Sequence, residues 1–392
     1  MNYILFDGQF RDDLLPLTYT RPVADLRVGI LTIREKWEYL LETSITSVTE
    51  DYLSKKYPMV EFDKNILINA SIIPNQKIID KIKSLKPNEL IMSDDDIVAF
   101  YSLENDCESN LDSYNKQIYS DNLFKIKSLT DLFKINPEVI KQDFRLITTN
   151  RNSSRLSSTN NIINPDNIFV EEGVSIEYVT LNASEGPIYI GKDCEIMEGS
   201  LIRGPFAICN NSRIKLGSKI YPGTTIGPYS TVGGEVSNSI ILGYSNKGHD
   251  GFLGNSIIGE WCNLGADTNT SNLKNNYLNV KLWNYENDKF SDTGEQFCGL
   301  VMGDHSKCGI NTMFNTGTLV GVSSNIFGSG YPRNFIPSFS WGGSKGFLDY
   351  KIDKVFEVAD IVMKRRGCSL TDLDKEILIH VNNISKKYRS NF

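Results

Sequence analysis

Histidine is scarce in this chain: three residues, His249, His305 and His380, in a sequence of 392. Cysteines number seven, Cys107, Cys194, Cys209, Cys262, Cys298, Cys308 and Cys368, and none forms a CxxC pair. An odd count without pairing motifs speaks against a disulfide framework and reads as reduced packing residues of a cytoplasmic protein. Basic charge is in deficit, with 41 Lys+Arg against 48 Asp+Glu and a net charge of −7. A protein that grips a phosphate backbone shows the opposite balance, so no nucleic-acid partner is expected. No apolar run is long enough to cross a bilayer, so no membrane partner is expected either. The start, MNYILFDGQFRDD, has no basic region and only Tyr3 to Phe6 as an apolar stretch, which does not read as a signal peptide. What remains is an ordinary globular balance, 40% hydrophobic and 23% charged, long enough for two or three domains at about 150 residues each.

The strongest signal is periodic. An aliphatic residue returns every six positions at Ile190, Ile196, Ile202, Ile208, Ile214, Ile220, Ile226 and Val232. A helix needs a period of about 3.6 and a plain strand about 2, so neither fits. Short strands joined by tight turns, with one inward aliphatic per face, fit a solenoid. The register slips by two near residue 236 and resumes at Phe252, Ile258 and Leu264. An excursion from about Asp267 to Cys298 interrupts it, and Met302, Cys308, Phe314, Val320 and Ile326 continue it. Ile168 and Val174 are candidates for the upstream start. This is the hexapeptide repeat of a left-handed parallel β-helix.

The two ends differ. Residues 1–147 read as an α/β domain with strands at Tyr3–Phe6, Asn65–Asn69 and Ile97–Tyr101. Helices are expected at Ile30–Leu41, Asn75–Leu85 and Leu129–Ile147, an alternation that suggests a largely parallel sheet. Residues 148–166 are rich in Ser and Asn and read as a linker. The β-helix is expected over 167–342. Within 343–392, Ile352–Arg366 and Leu370–Lys387 have helical spacing and are expected to cap or buttress the solenoid.

Chemistry-bearing residues cluster where the repeat breaks. His249 lies between glycines in Lys247-Gly248-His249-Asp250-Gly251-Phe252. An imidazole there can take a proton near neutral pH, with Asp250 or a backbone carbonyl fixing its tautomer, although a plain turn histidine fits the same position. His305, in Gly303-Asp304-His305-Ser306, is a second candidate, and His380 belongs to an amphipathic helix.

The next coil, Asn263-Leu264-Gly265-Ala266 with Thr268 and Asn272 following, makes the solenoid resemble the acetyltransferase half of the bifunctional glucosamine-1-phosphate acetyltransferase/N-acetylglucosamine-1-phosphate uridyltransferase family. The resemblance implies His249 as general base and Asn263 as the residue orienting the base and the reacting amine. It places Phe252 where the family has tyrosine, Asn272 near the sugar and acetyl group, and Gly265 and Ala266 along acetyl coenzyme A. The family arginine before Pro222-Gly223 is replaced by Tyr221, and the family lysine near Ser237 to Ser239 is missing. Lys219, Lys247 and Lys274 are the candidates to hold the sugar phosphate instead.

The N-terminal part resembles the sugar nucleotidyltransferase-like domain of a Bacteroidetes-type variant of the same family. It does so through Ile4-Leu5-Phe6-Asp7-Gly8, Leu15-Pro16-Leu17-Thr18, Arg21-Pro22, Asp25-Leu26-Arg27 and Gly29-Ile30. The resemblance implies nucleotide binding at Gly8, Arg11, Arg21, Arg27 and Asn69, with Mg²⁺ as cofactor. Yet the loop has one glycine and no Pro-Lys, and Asn69-Ala70-Ser71 stands where a metal-binding aspartate belongs. Asp7 or the Asp94-Asp95-Asp96 run would have to compensate. The expected function is acetyl transfer from acetyl coenzyme A to an amino sugar phosphate, joined to sugar-1-phosphate nucleotidyl transfer in UDP-N-acetylglucosamine synthesis. Two alternatives are an acyltransferase whose N-terminal domain only binds a nucleotide sugar, and a non-catalytic scaffold. A homotrimer is expected, with the excursion residues Tyr277, Trp283, Tyr285 and Phe290 reaching a neighbour.

Overall fold

The computed structural model describes residues 1–103 and 111–389, and Cys107 lies outside them. Six strands form the N-terminal sheet: β1 (Asn2–Phe6), β2 (Thr46–Val48), β3 (Lys64–Asn69), β4 (Glu89–Ser93), β5 (Asp96–Leu103) and β6 (Asn115–Ile118), in the order β2-β1-β3-β5-β4-β6. The sheet is mixed rather than largely parallel. β1 runs parallel to both neighbours, but β5 is antiparallel to β3 and to β4. The cause is local: β4 and β5 are joined at Asp94 and Asp95, with Asp94 at φ 52°, and a turn that short enforces an antiparallel pair. The acidic run is therefore a hairpin tip.

Four helices flank this sheet: α1 (Ile33–Leu41), α2 (Asp51–Ser54), α3 (Gln76–Lys83) and α4 (Leu129–Thr148). Capping boxes at Thr32/Glu35 and Ser128/Asp131 start α1 and α4. Lys36 of α1 is fully buried, and its Nζ donates to Asp143 Oδ2 of α4 at 2.7 Å and to the carbonyls of Val28 and Leu31. The same carboxylate accepts the amides of Ile30 and Leu31. One ion pair thus fastens two helices and the loop between them.

The solenoid has three faces. Face one begins at Asn161–Ile163, face two at Ile168–Val170 and face three at Ser175–Ile176, and each strand pairs in parallel with the one a coil later. The segment 148–166 is therefore not a free linker. Its end is the first solenoid strand, and Arg151 and Ser154 bind Glu171 and the Val170 carbonyl. The interior is a column of aliphatics with Ile190, Ile208, Ile226, Ile241 and Ile258 on one side. At the slip the inward residue is Leu253 (0% exposed), and Phe252 is turned outward instead. The last coil runs past 342 into a hairpin of Ser340–Gly343 with Gly346–Asp349.

Face two carries the N-terminal domain. Ile30, Ile140 and Ile147 pack on Phe169, Tyr189 and Ala207. Asn136 of α4 accepts from the Gly29 amide and donates to the Gly223 carbonyl at 2.7 Å. The excursion does not project outward as a whole: its hairpin, Lys281–Asn284 with Lys289–Asp292, folds onto its own chain. Asn284 donates to Asp13, and Tyr285 meets Tyr19 edge-on at 5.5 Å. Only Tyr277 (65%) and Phe290 (41%) of the four aromatics stay exposed. Helices α5 (Ile352–Lys364) and α6 (Asp372–Ile384) buttress this junction. Lys55 and Lys56 pair with Glu376 and Asp374, and Arg366 donates to Asn246 and to the Tyr229 carbonyl. No helix of the described residues is long and apolar enough to cross a membrane.

Replacing Asp143 with alanine leaves the Lys36 charge buried without a partner. The expected loss is about 3–5 kcal/mol in chemical denaturation. A loss below about 1 kcal/mol would mean that Lys36 sheds its proton at little cost.

Candidate active sites

The corner between faces three and one carries the sequence-expected acyl site. His249 lies on the turn 248–251 and is exposed. No hydrogen bond to its imidazole occurs among the described residues, and Asp250 beside it is exposed as well. The turn is held by its stacking neighbours: the Asp267 amide donates to the Asp250 carbonyl at 3.1 Å, and the Glu235 amide to the Gly251 carbonyl. Gly265 and Ala266 stack one coil above, half-buried. A Cβ on Gly265 would lie 2.4 Å from the Gly309 carbonyl carbon, so glycine is required there for coil packing whatever else it serves. Asn263 points outward on face three, exposed, paired in register with Asn246 and Lys307.

Lys247, a candidate to hold the sugar phosphate, is turned inward. It sits in register with Val232, an inward position, and is 2% exposed. Its Nζ donates to the carbonyls of Gly233 at 2.9 Å and His249 at 3.0 Å. Burial pushes its pKa down to about 8 against the pull of Asp250 and Asp267. A lysine thus stands in the aliphatic column and holds the histidine turn from within. Lys219 lies on face one beside Glu235.

Phe252 and Asn272 come together on face one. A Cβ on Gly254 would touch the Phe252 ring and Asn272 Nδ2, each at 2.6 Å, so the two side chains flank that glycine. Asn272 donates to Asn255 Oδ1 at 2.8 Å. Lys274 is farther along the excursion and donates to the Asn279 carbonyl.

The other histidines are engaged elsewhere. His305 closes a stacked ladder, Tyr229–Tyr244–Trp261–His305, along the corner between faces two and three. Its Nδ1 is buried without a partner, and burial, reinforced by the Lys307 charge, lowers its pKa to about 4. It is a packing residue under the N-terminal domain. His380 stacks on Tyr52 at 4.1 Å.

The N-terminal cleft, about 500 Å³, is lined by Asp7, Gly8, Arg11, Asp12 and Glu50. Of the expected cations only Arg11 reaches it, and Arg11 is tied to Asp7 at 3.3 Å and to Tyr52 Oη at 2.9 Å. Arg21 is turned away. It is buried against Asp304 and Glu260 of the solenoid, with Thr20 donating to the same Asp304 carboxylate at 2.6 Å. Arg27 is likewise buried, donating to the Ile30 carbonyl. Asn69 caps a turn: its Oδ1 accepts from the Ser71 amide and hydroxyl, and its Nδ2 donates to Ile97. Burial raises the Asp7 pKa, although Thr49, the Val23 amide and Arg11 oppose it. Among the described residues no group of three or more His, Cys, Asp or Glu is arranged to hold a metal ion. Mg²⁺ beside a nucleotide asks only one or two carboxylates of the protein, and Asp7, Asp12 and Glu50 are the ones that line this cleft. Asp96 is occupied by Lys125 and Lys127.

Two features had no signal in the residue pattern. One is Asp304 as the partner of Arg21, 283 residues away in sequence. The other is a groove of about 1380 Å³ between the excursion hairpin and the last coils, which includes Lys274.

Two outcomes follow from this geometry. Arg21→Ala should lower the thermal midpoint by loosening the domain junction and leave UTP affinity unchanged; a weaker UTP affinity at constant midpoint would return Arg21 to the nucleotide cleft. Lys247 titrates near 8 when folded and near 10.5 when unfolded, so the unfolded chain binds more protons between those values. Its penalty is complete below pH 8 and vanishes above 10.5, so it contributes rising stability across that window. Lys247→Met should flatten that rise relative to the parent; identical pH–stability curves would contradict the buried placement.

Residues 3–152 match the family described as sugar nucleotidyl transferase. A bifunctional sugar-1-phosphate nucleotidylyltransferase/acetyltransferase of Sulfurisphaera tokodaii is 28% identical over 160 residues, 40% of this chain and 37% of that protein. The bifunctional protein GlmU of Methanocaldococcus jannaschii is 38% identical over 87 residues, 22% of this chain and 21% of its own length. The chain thus spans between about a fifth and a little more than a third of the length of the curated relatives named here. A solved UDP-N-acetylglucosamine acyltransferase of Francisella novicida shares 13% identity over 59% of this chain and 76% of its own, at a TM-score of 0.27. By the family match and by its own coils, the chain joins an N-terminal α/β domain similar to the sugar nucleotidyl transferase family to a hexapeptide-repeat β-solenoid, and over part of its length it is similar to bifunctional nucleotidyltransferase/acetyltransferases.

Proposed function

We propose that the chain transfers an acetyl group from acetyl coenzyme A to the amine of an amino sugar phosphate of the glucosamine-1-phosphate type, with His249 as general base. One observation carries the reading. His249 stands exposed on the corner between the two solenoid faces that the N-terminal domain does not cover, with Gly265 and Ala266 on the next coil. Bound acetyl coenzyme A would supply a thioester carbonyl there. His249 accepts a proton from the amine as it attacks, and the new amide C–N bond replaces the C–S bond. The proton then returns to the departing thiolate. Asn263 lies outward beside the same corner, and Phe252 and Asn272 form a wall for the sugar.

A single corner is shallow, and a coenzyme needs a groove. A homotrimer supplies one by setting a neighbouring solenoid against an open face. Outward Leu201 (53%) and Tyr221 (42%) on face one are apolar surface of the kind such contact covers.

In this reading the N-terminal domain binds a nucleotide or nucleotide sugar and turns it over weakly. Arg21 and Arg27 are spent on internal contacts, and phosphoryl transfer depends on charge neutralisation. The second reading is full bifunctionality in UDP-N-acetylglucosamine synthesis, favoured by the family match of residues 3–152.

His249→Ala should fold normally and release thiol from acetyl coenzyme A, with glucosamine-1-phosphate as acceptor, about 10²–10⁴-fold more slowly than the parent. An unchanged rate would leave His249 as a turn residue. Light scattering at micromolar concentration should give three times the chain mass, and a monomer would contradict the shared site.

A further inference from the structure

The groove beside the excursion is far larger than a sugar phosphate requires. Its volume of about 1380 Å³ exceeds the roughly 300–1,000 Å³ usual for small-molecule pockets. Four cationic side chains line it, Lys274, Lys281, Arg333 and Lys387, against one carboxylate, Asp288. That local excess of positive charge lies on a chain of net charge −7. Phe290 (41% exposed) and Tyr331 (59% exposed) present open rings to the same space. The Trp283 indole N–H, from another wall residue, is buried without an acceptor among the described residues.

Cations beside open aromatic rings recognise a base attached to phosphates, the rings by stacking and the cations by charge-assisted hydrogen bonds. We propose that this groove binds a nucleoside diphosphate unit. Its position names the source we favour. The groove starts at Ser271 and Lys274, on either side of Asn272, which flanks Phe252 on face one. An acceptor sugar at Asn272 with a nucleoside diphosphate on its anomeric oxygen would lay that unit into the groove. The acyl site would then take the amino sugar in its nucleotide-linked form as well as the sugar phosphate. This assignment of the source rests on the acyl-transfer reading of His249 and Asn272; the binding site itself does not. Coenzyme A carries the same chemistry in its adenosine diphosphate portion.

Calorimetric titration of the full chain separates these cases. UDP and UDP-N-acetylglucosamine should bind. The double variant Lys281→Glu/Arg333→Glu should weaken binding at least tenfold while leaving the thermal midpoint in place. His249→Ala should bind UDP as the parent does, so a failed acyl-transfer assay and a failed groove give different patterns. Coenzyme A binding that is lost in the double variant, without UDP binding, keeps the nucleoside diphosphate site and moves its source to the donor. Tyr331→Ala offers a second, uncharged reading of the same contact and should also weaken UDP. If neither UDP nor coenzyme A binds, or if both bind equally well to the parent and the double variant, the groove is not a nucleotide site.

Discussion

Everything in this molecule depends on coils stacking in register. Each coil donates its amides to the carbonyls of the next and points one side chain per face into a column with little room for variation. The hydrogen bonds fix the turns as firmly as the strands, since the turn 248–251 is gripped by Asp267 on one side and Glu235 on the other. A turn so held needs little further ordering to present a side chain. The column tolerates one charge, Lys247, because both of its hydrogen bonds end on turn carbonyls that need donors. The same interaction that would be a defect elsewhere anchors the exposed histidine here.

A second constraint is the junction between domains. Face two is covered by α4, and the junction is closed by Arg21 against Asp304 and Glu260. A buried arginine with two carboxylates is stable only as a set, so Arg21 is not available to a nucleotide. Arg27 is fixed in the same neighbourhood by Ile30 and Glu35. Two of the three arginines expected at a nucleotide, Arg21 and Arg27, are thus engaged in or beside the seam with the solenoid, and Arg11 alone lines the cleft. The N-terminal cleft is left acidic, with Asp7, Asp12 and Glu50 around a committed Arg11.

The solenoid was legible because its signal is local. Six-residue spacing places Ile190 to Val232 inward with no knowledge of the rest of the chain. The same rule misplaced Phe252, since a short coil between Val232 and Lys247 shifts the inward position to Leu253. The α/β domain was legible in its helices, where Thr32, Asn75 and Ser128 mark the starts. The antiparallel β5 was not, because nothing in the Asp94-Asp95-Asp96 run marked it as the tip of a hairpin. Long-range partners left no trace in spacing: Arg21 and Asp304 are as far apart in sequence as in any pattern one could count. The excursion was visible as an interruption, but its hairpin folds back through Asn284 and Tyr285 instead of leaving the chain. Phe252 and Asn272 meet on face one, His249 stands on the corner between faces three and one, and Asn263 lies on face three, whereas Lys247, Arg21 and Arg27 are held inside.

The central claim is that chemistry resides at the solenoid corner and that the N-terminal domain has given its cations to structure. Two rates on one preparation test it most directly: thiol release from acetyl coenzyme A with an amino sugar acceptor, and pyrophosphate release from UTP with N-acetylglucosamine-1-phosphate and Mg²⁺. The account predicts acceptor-dependent thiol release with pyrophosphate release far below it. Pyrophosphate release equal to or faster than thiol release would contradict it.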